Sequence, residues 1–579
     1  MIVPNRLSSA PHGAGAHLTW KALSIFFVFT LLLAACAAPA PSAPAAQESG
    51  SEAAAGSEAA AAAPELPADA APEQVLRINT GSTGSASFDF YPMRGGSDNQ
   101  SWMPFLFVPP LYFDVDLNLQ PGVFDTWESN AEFTVWTFTI DQRAQWSDGT
   151  PITPQDVKGT WEIMAGPESG HGRIQQYIGN VEGFDTVRDQ TATEITGITI
   201  VDENTIQVQL KQPDAVFHWR LATTHMSPVK AEQAAADRDN FWLPENNPAV
   251  SGPYMLESYS ADLQEAVMVP NPNWWMDEGP FLSRIEFRFQ PDPETTSVML
   301  QNDQVDLSLG GIPLAMKEAF PDYFRPVKSF GFNVFWLAVT PEPTNDLNVR
   351  KALVTAVDHE ALFKAAYPLG NGMMANQIID PDLPCQEQDA NFYTFNVEEA
   401  KAALAASPYG GAENLPKLRV TPRGSDVTLN GAAEAVVEFW RQNLGITNIE
   451  YQEQPDGFGA DQPIINMSRD DVVIRFPDAA TYMWVAAHSA GPIAGGEMLN
   501  GYKNPEIDSL LEQALALAAD DPQRCELTLQ AQRLFMADYP TIMFGIGEST
   551  LNARDYVANY EKGPDVGVIA PWRIYIKAH

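Results

Sequence analysis

Few side-chain sets in this chain have the types and spacing that chemistry requires. Beyond residue 35 the histidines are His171, His218, His225, His359, His488 and His579. No two stand at the i, i+4 spacing that puts both imidazoles on one helix face, and HExxH is absent, so a helical zinc centre of that kind is excluded. The GxSxG turn that exposes a nucleophilic serine is absent, as is the GxxxxGK[ST] loop that cradles phosphate. Asp114-Val-Asp-Leu-Asn118 imitates the first ligands of a calcium loop. Such a loop needs Gly at its sixth position and Glu at its twelfth, where this chain has Leu119 and Asp125. Non-covalent binding is better provided for, with 14 Trp, 16 Tyr and 30 Phe. Trp274-Trp275, Trp336 and Trp484 stand in polar, loop-like contexts and could line a cleft, where an aromatic gives much contact area for little entropy. For any one of them, burial in a core is the commoner fate. No catalytic residue, metal or cofactor is expected.

The elements that would position those aromatics are mixed. Thr134-Val-Trp-Thr-Phe-Thr-Ile140 sets Trp136, Phe138 and Ile140 on one face, the pattern of a half-buried strand. Ile195 to Val201 and Thr205 to Leu210 flank the turn Asp202-Glu-Asn204 as a hairpin, and Ile285-Glu-Phe-Arg-Phe289 is a further strand. Helices concentrate later. Leu353, Val354 and Val357 share a face, and Glu398-Glu-Ala-Lys-Ala-Ala-Leu is helical by propensity. Asn504-Pro505-Glu506 supplies an N-cap, a proline at the first helical position and an acid near the positive dipole end. Leu510, Leu511, Ala514, Leu515 and Ala518 then form its apolar stripe. Strands and helices alternate without a strict βαβ rhythm, which predicts an α/β or α+β protein of several lobes.

Composition narrows the function. At 579 residues the chain is too long for one core, since domains run to about 100–200 residues. A hydrophobic content of 45% excludes global disorder. Acids outnumber bases 74 to 34, and a net charge of −40 repels a phosphate backbone, so no nucleic-acid partner is expected. A mean hydropathy of −0.19 excludes a polytopic membrane protein.

The first 35 residues carry Arg6 and Lys21, no acid, and the apolar run Ala22 to Leu33. That run is shorter than the ~20 residues of a membrane-spanning helix and suits a signal peptide. It ends in Leu33-Ala34-Ala35-Cys36, small residues before a cysteine, which resembles the lipobox of bacterial lipoproteins. Residues 1–35 are then the signal and Cys36 the lipidated residue. From Ala37 to about residue 73 the chain is almost wholly Ala, Pro, Ser, Gly and Glu, too poor in apolar anchors to offset its ordering entropy. Residues 36–74 are read as a tether. Cys385 and Cys525 are either two buried thiols or a disulfide, and an exported chain favours the disulfide.

Several stretches, in order, resemble the family 5 extracellular solute-binding proteins of ABC transporters, the oligopeptide, dipeptide and nickel-binding group. They include Phe88-Asp-Phe-Tyr-Pro92, Leu119-Gln-Pro-Gly-Val-Phe-Asp-Thr-Trp-Glu128, and above all the run from Trp136 through Trp146-Ser-Asp-Gly149 to Asp156-Val157. Ser251-Gly-Pro-Tyr254, Asn271-Pro-Asn-Trp-Trp275, Val349-Arg-Lys-Ala-Leu353 and Gly501-Tyr-Lys-Asn-Pro-Glu506 continue the series. The resemblance implies an α/β, periplasmic-binding-protein-like fold of the three-domain class II type. Lobe I would comprise 75–92, 213–325 and 541–579, lobe II 93–212, and lobe III 326–540. Ligand would lie between lobes I and III, which close on it by hinge bending. The implied chain is a monomer, lipid-anchored on the outer face of the bacterial cytoplasmic membrane. It would capture a solute and deliver it to an ABC permease. Peptides are the default ligand, with oligosaccharides as the alternative. An exported hydrolase is the competing class.

The resemblance also implies a ligand-contacting set: Asp89, Tyr91, Trp336, Arg475, Asp478, Tyr482 and Trp484. One departure bears on ligand chemistry. Peptide binders of the family often place an Asp against the ligand's α-ammonium, three residues before a second acid. If Asp478 is that second acid, Arg475 stands at the ammonium position, where a guanidinium repels an ammonium and attracts a carboxylate. If the register slides, Asp478 itself would hold the ammonium.

Overall fold

The computed structural model describes residues 64–80, 90–93, 102–171, 173–309, 312–327, 331–368, 372–387, 390–421, 427–451, 467–473, 476–496, 498–547, 549–562 and 568–579. The expected signal segment, Cys36, the expected tether up to residue 63, Asp89 and Arg475 lie outside the described residues.

Three larger sheets, beside three two-stranded ones, carry the described residues. The first is seven-stranded, in the order Phe324–Val327, Ser549–Ala553, Leu307–Ser308, Val75–Asn79, Arg284–Arg288, Glu265–Pro270, Tyr254–Ser260. Val75–Asn79 is parallel to both neighbours, with Leu76 beside Ile285 and Ile78 between Phe287 and Leu307. The side-chain period of two sends Leu76 and Ile78 into the core. Arg77, on the other face, pairs with Asp306 at 2.7 Å. The second sheet is antiparallel: Phe124–Ser129, Val135–Ile140, Thr205–Gln209, Ile198–Ile200. Its last two strands are the expected hairpin, with Ile198 opposite Val208 and Ile200 opposite Ile206. Trp136, Phe138 and Ile140 are buried together. These two sheets share one hydrophobic core.

The third sheet is six-stranded, in the order Gly372–Met373, Thr541–Gly547, Gly331–Leu337, Met467–Val473, Leu418–Thr421, Ile449–Tyr451. It packs with the later helices around a second core. The Leu347–Thr355 helix buries Leu353 and Val354, and Val357 just beyond it is buried as well. The Pro505–Leu515 helix starts as its sequence predicts, with the Asn504 side chain accepting from the Glu506 amide at 3.1 Å. Its buried face is Ile507, Leu511 and Ala514, with Leu510 and Leu515 only partly covered.

Two boundaries differ from expectation. Thr541–Gly547 pairs with Gly331–Leu337 in the six-stranded sheet, and only Ser549–Ala553 pairs in the seven-stranded one. The chain therefore recrosses after Gly547, one strand later than 541. At the other end, residues 69–74 are already fixed. The Ala71 amide donates to the Ile576 carbonyl at 2.7 Å, Tyr575 donates to Asp69 at 2.9 Å, and Gln74 bonds Ala71 and Ile576.

Most of the motif stretches are scaffolding. In Trp146-Ser-Asp-Gly149 the turn closes with the Gly149 amide on the Trp146 carbonyl, at a φ of +82° that glycine adopts without strain. Trp146 is fully buried and donates to Asp156, whose carboxylate also completes the capping box with Thr153. In Ser251-Gly-Pro-Tyr254 the Gly252 amide donates to the Leu106 carbonyl, and a Cβ there would lie 2.4 Å from the Leu106 carbonyl carbon. Asn271 and Trp275 lock the same turn through the Gly252 and Ser251 carbonyls.

Candidate functional site

Phe476, the residue after Arg475, lies between the Met467–Val473 strand and the Ala479–Ala487 helix. Phe476 follows a strand of the second core, yet its ring packs in the first core and is 5% exposed. Asp478 then caps the Ala479–Ala487 helix, accepting from the Thr481 amide at 2.9 Å and the Thr481 hydroxyl at 2.7 Å. Arg524, on the Pro522–Ala537 helix, donates Nε to Oδ1 at 3.1 Å and Nη2 to Oδ2 at 2.7 Å of the same carboxylate. Burial alone would raise the Asp478 carboxyl. The guanidinium charge of Arg524, its hydrogen bonds and those of Thr481 outweigh that and hold the carboxyl below its ordinary value. Arg524 Nη1 also donates to the Ala514 and Leu517 carbonyls at 2.7 and 2.8 Å, at and just beyond the C-terminal end of the Pro505–Leu515 helix.

A second buried pair meets this one from the other core. Asp214 Oδ2 accepts from Arg220 Nε at 2.6 Å. Arg220 Nη1 donates to the Gln176 carbonyl, and Nη2 lies 3.5 Å from the Thr481 hydroxyl oxygen. The guanidinium carbon stands 5.6 Å from the Phe476 ring centroid, within cation–π range. Alongside, the Ala215 amide donates to the Leu515 carbonyl at 3.1 Å. The two cores thus meet at an aromatic ring, a hydroxyl and one backbone hydrogen bond, flanked on each side by a satisfied ion pair.

The expected ligand contacts are placed unevenly. Asp478, Tyr482 and Trp484 come together on and before one helix, but they do not share an environment. Asp478 is committed to Arg524 and Thr481, so its carboxylate is a helix cap and an ion-pair partner instead of an open ammonium site. Tyr482 is fully buried in the second core. Trp484 is half-buried and stacks on His488 at 5.2 Å between centroids. Trp336 is 0% exposed, because its strand lies between Met467–Val473 and Thr541–Gly547, and its ring reaches Phe535. It is core, not cleft wall. Tyr91 is buried edge-on to Phe241 in the first core. Trp275 is buried, and Trp274 packs on Trp572.

Cys385 and Cys525 are joined as a disulfide, with Cα atoms 5.3 Å apart, and Cys525 adjoins Arg524. An apolar recess opens elsewhere, walled by Val108, Tyr112, Phe113, Ile569 and Trp572. It includes none of the expected contacts. Among the described residues no group of three or more His, Cys, Asp or Glu is placed to hold a metal. Asp214, Arg220, Thr481 and Arg524 were not singled out by sequence reasoning. Their only local signal is a helix-cap pattern, Asp478 three residues before Thr481.

Mixed α/β sheets in separate cores, with the chain crossing between them, define the lobed fold of the periplasmic binding proteins. The chain belongs to the bacterial extracellular solute-binding proteins, family 5, matching the family's middle region over residues 118–492. It is 25% identical to the periplasmic oligopeptide-binding protein OppA of Salmonella typhimurium, an alignment that covers 97% of this chain and 100% of that protein. It is 24% identical to the dipeptide-binding protein DppE of Bacillus subtilis, over 81% of this chain and 86% of the relative. The crystal structure of Haemophilus influenzae OppA in complex with RPPGFSPFR superposes with a TM-score of 0.72 at 20% identity, covering 88% of this chain and 100% of that one. The protein is a binding protein that works outside the cytoplasm, and not an enzyme.

Proposed function

We propose that this protein captures a peptide-like solute and delivers it to the permease of an ABC importer. The observation that carries the reading is the end-to-end match to an oligopeptide-binding protein, which spans the whole relative and not one module of it. The match to the dipeptide-binding protein DppE agrees with it.

The lobes follow the sheets. Lobe I is built on the seven-stranded sheet, from 69–92, 213–327 and 548–579. Lobe II is 93–212, and lobe III, on the six-stranded sheet, is 331–547. Ligand lies between lobes I and III. The engagement of Asp478 by Arg524 and Thr481 favours the register in which Arg475 stands at the ammonium position of the peptide binders. The ligand end held there is accordingly a carboxylate or another anion. Trp484 is the aromatic most available to a ligand, being the one of the expected lobe III aromatics that is not fully buried. The mature chain is a monomer held at the membrane through Cys36, and residues 37–68 give it reach.

Native mass spectrometry of freshly purified protein tests the ligand class. A bound mass or series of masses that fragments into amino-acid residues is expected. A mass fragmenting into hexose units would instead assign an oligosaccharide. Replacing Cys36 with Ser should release the protein from the membrane fraction or leave its signal uncut. Retention of mature Cys36→Ser protein in the membrane would overturn the anchor.

A further inference from the structure

We propose that Arg220 and Phe476 are positioning residues that hold the two cores in register, a latch across the junction between lobes I and III. The inference rests on the two-lobe reading above.

Three features point to it. Phe476 is contributed by the chain of one core and buried in the other, so the cores cannot separate without exposing an aromatic ring. Arg220 is preset for its role. Asp214 neutralises it at 2.6 Å and Gln176 fixes a second nitrogen, both from its own side. What remains, Nη2 and the guanidinium face, is directed at Thr481 and Phe476 on the other side. Finally, the Thr481 hydroxyl spends its proton on Asp478 at 2.7 Å, which leaves its oxygen free to accept from Arg220. One hydroxyl therefore joins two ion pairs, each complete within its own core. Separation breaks this join and leaves neither charge unpaired, which lets the contact open and re-form without a buried-charge penalty.

The test uses ligand-free, full-length mature protein, so it does not depend on the ligand assigned above. The probe is amide exchange, read by mass spectrometry, at Ala215, whose N–H is bonded to Leu515 across the junction. Losing one hydrogen bond to a hydroxyl corresponds to about 2–10-fold faster opening. Arg220→Met, Phe476→Leu and Thr481→Val should each speed exchange in the peptide containing Ala215 by at least about that factor. Peptides from Thr205–Gln209 and Leu418–Thr421, inside each core, should be unchanged. Because Arg220 and Thr481 act through one contact, the double variant should exchange no faster at Ala215 than Arg220→Met alone. Thr481→Val keeps both ion pairs, so it remains informative if Arg220→Met folds poorly. Unchanged exchange at Ala215 in Thr481→Val would overturn the latch. So would additive effects in the double variant, or a uniform rise across both cores.

Discussion

The Asp478–Arg524 and Asp214–Arg220 pairs use the same two side chains at similar burial, with side-chain exposures of 7% and 4% in the first and 3% and 9% in the second. Their wiring differs. Arg524 grips both oxygens of Asp478 and spends its third nitrogen on carbonyls of its own core. It is a closed clamp that ties the Ala479–Ala487 helix to its neighbours. Arg220 meets only one oxygen of Asp214 and turns its remaining donor and its face outward, to the other core. A buried Asp–Arg pair is therefore not a functional signal by itself. What separates a fastener from a contact surface is where the unused N–H groups of the guanidinium point.

Acid should expose the largest asymmetry. Burial drives the His218 imidazole down to about 3 and His171 to about 4, and both lie beside the first core. Below pH ~6.5 the unfolded chain binds protons at these sites that the folded protein excludes, so stability falls with pH by about 1.4 kcal/mol per pH unit for each histidine. His359, in the second core, is also lowered by burial and adds to the slope. Asp478 acts in a lower window: its carboxyl is held below the ordinary value. Its contribution is present above pH ~4 and is lost only as pH falls through its folded-state value. Urea unfolding at stepped pH between 6.5 and 4 measures the slope, and His218→Phe should remove one proton from it. An unchanged slope in that variant would show that His218 is protonated in the folded protein.

Breaking the clamp comes next. Arg524→Met leaves Asp478 buried and unpaired and should cost about 3–5 kcal/mol, seen as a lower urea midpoint. Reducing the disulfide, which links residues 140 apart in sequence, should cost about 2–5 kcal/mol. Because Cys525 adjoins Arg524, the combined loss should be smaller than the sum of the two. Thr481→Val should have the smallest effect on stability, about 1 kcal/mol. Its larger consequence is at the junction. If it destabilises as much as Arg524→Met, the contrast between clamp and contact surface is wrong.

The same contrast explains what could be read from the chain. Local patterns were legible: the Val135–Ile140 strand, the hairpin after it, and the N-cap at Asn504 all follow from side-chain period and capping chemistry within a few residues. The turn at Trp146 was legible as well, since the Gly149 amide closes on the Trp146 carbonyl, whereas the Ser251 turn was visible only by resemblance, because its Gly252 amide bonds the distant Leu106 carbonyl. The junction was not. Arg524 lies 46 residues from Asp478 and Arg220 lies 261 from Thr481, so no spacing links them. Phe476 lies between Arg475 and Asp478 of the expected ligand set, but nothing in its sequence context shows that its ring belongs to the opposite core. Trp336 misled differently: its immediate neighbours Phe335 and Leu337 are apolar, the pattern of a buried strand and not of a loop, and pairing on both sides makes that strand central.

The proposed function has the protein receive a peptide-like solute with its anionic end at Arg475. Calorimetric titration with three forms of one short peptide, free, N-acetylated and C-amidated, against wild type and Arg475→Ala tests it most directly. Saturable binding of the free peptide without product formation is predicted. C-amidation and Arg475→Ala should each weaken binding roughly 30-fold or more, the equivalent of about 2 kcal/mol for a buried charge pair, and N-acetylation should cost little. Loss on N-acetylation with indifference to C-amidation and to Arg475→Ala would contradict the account.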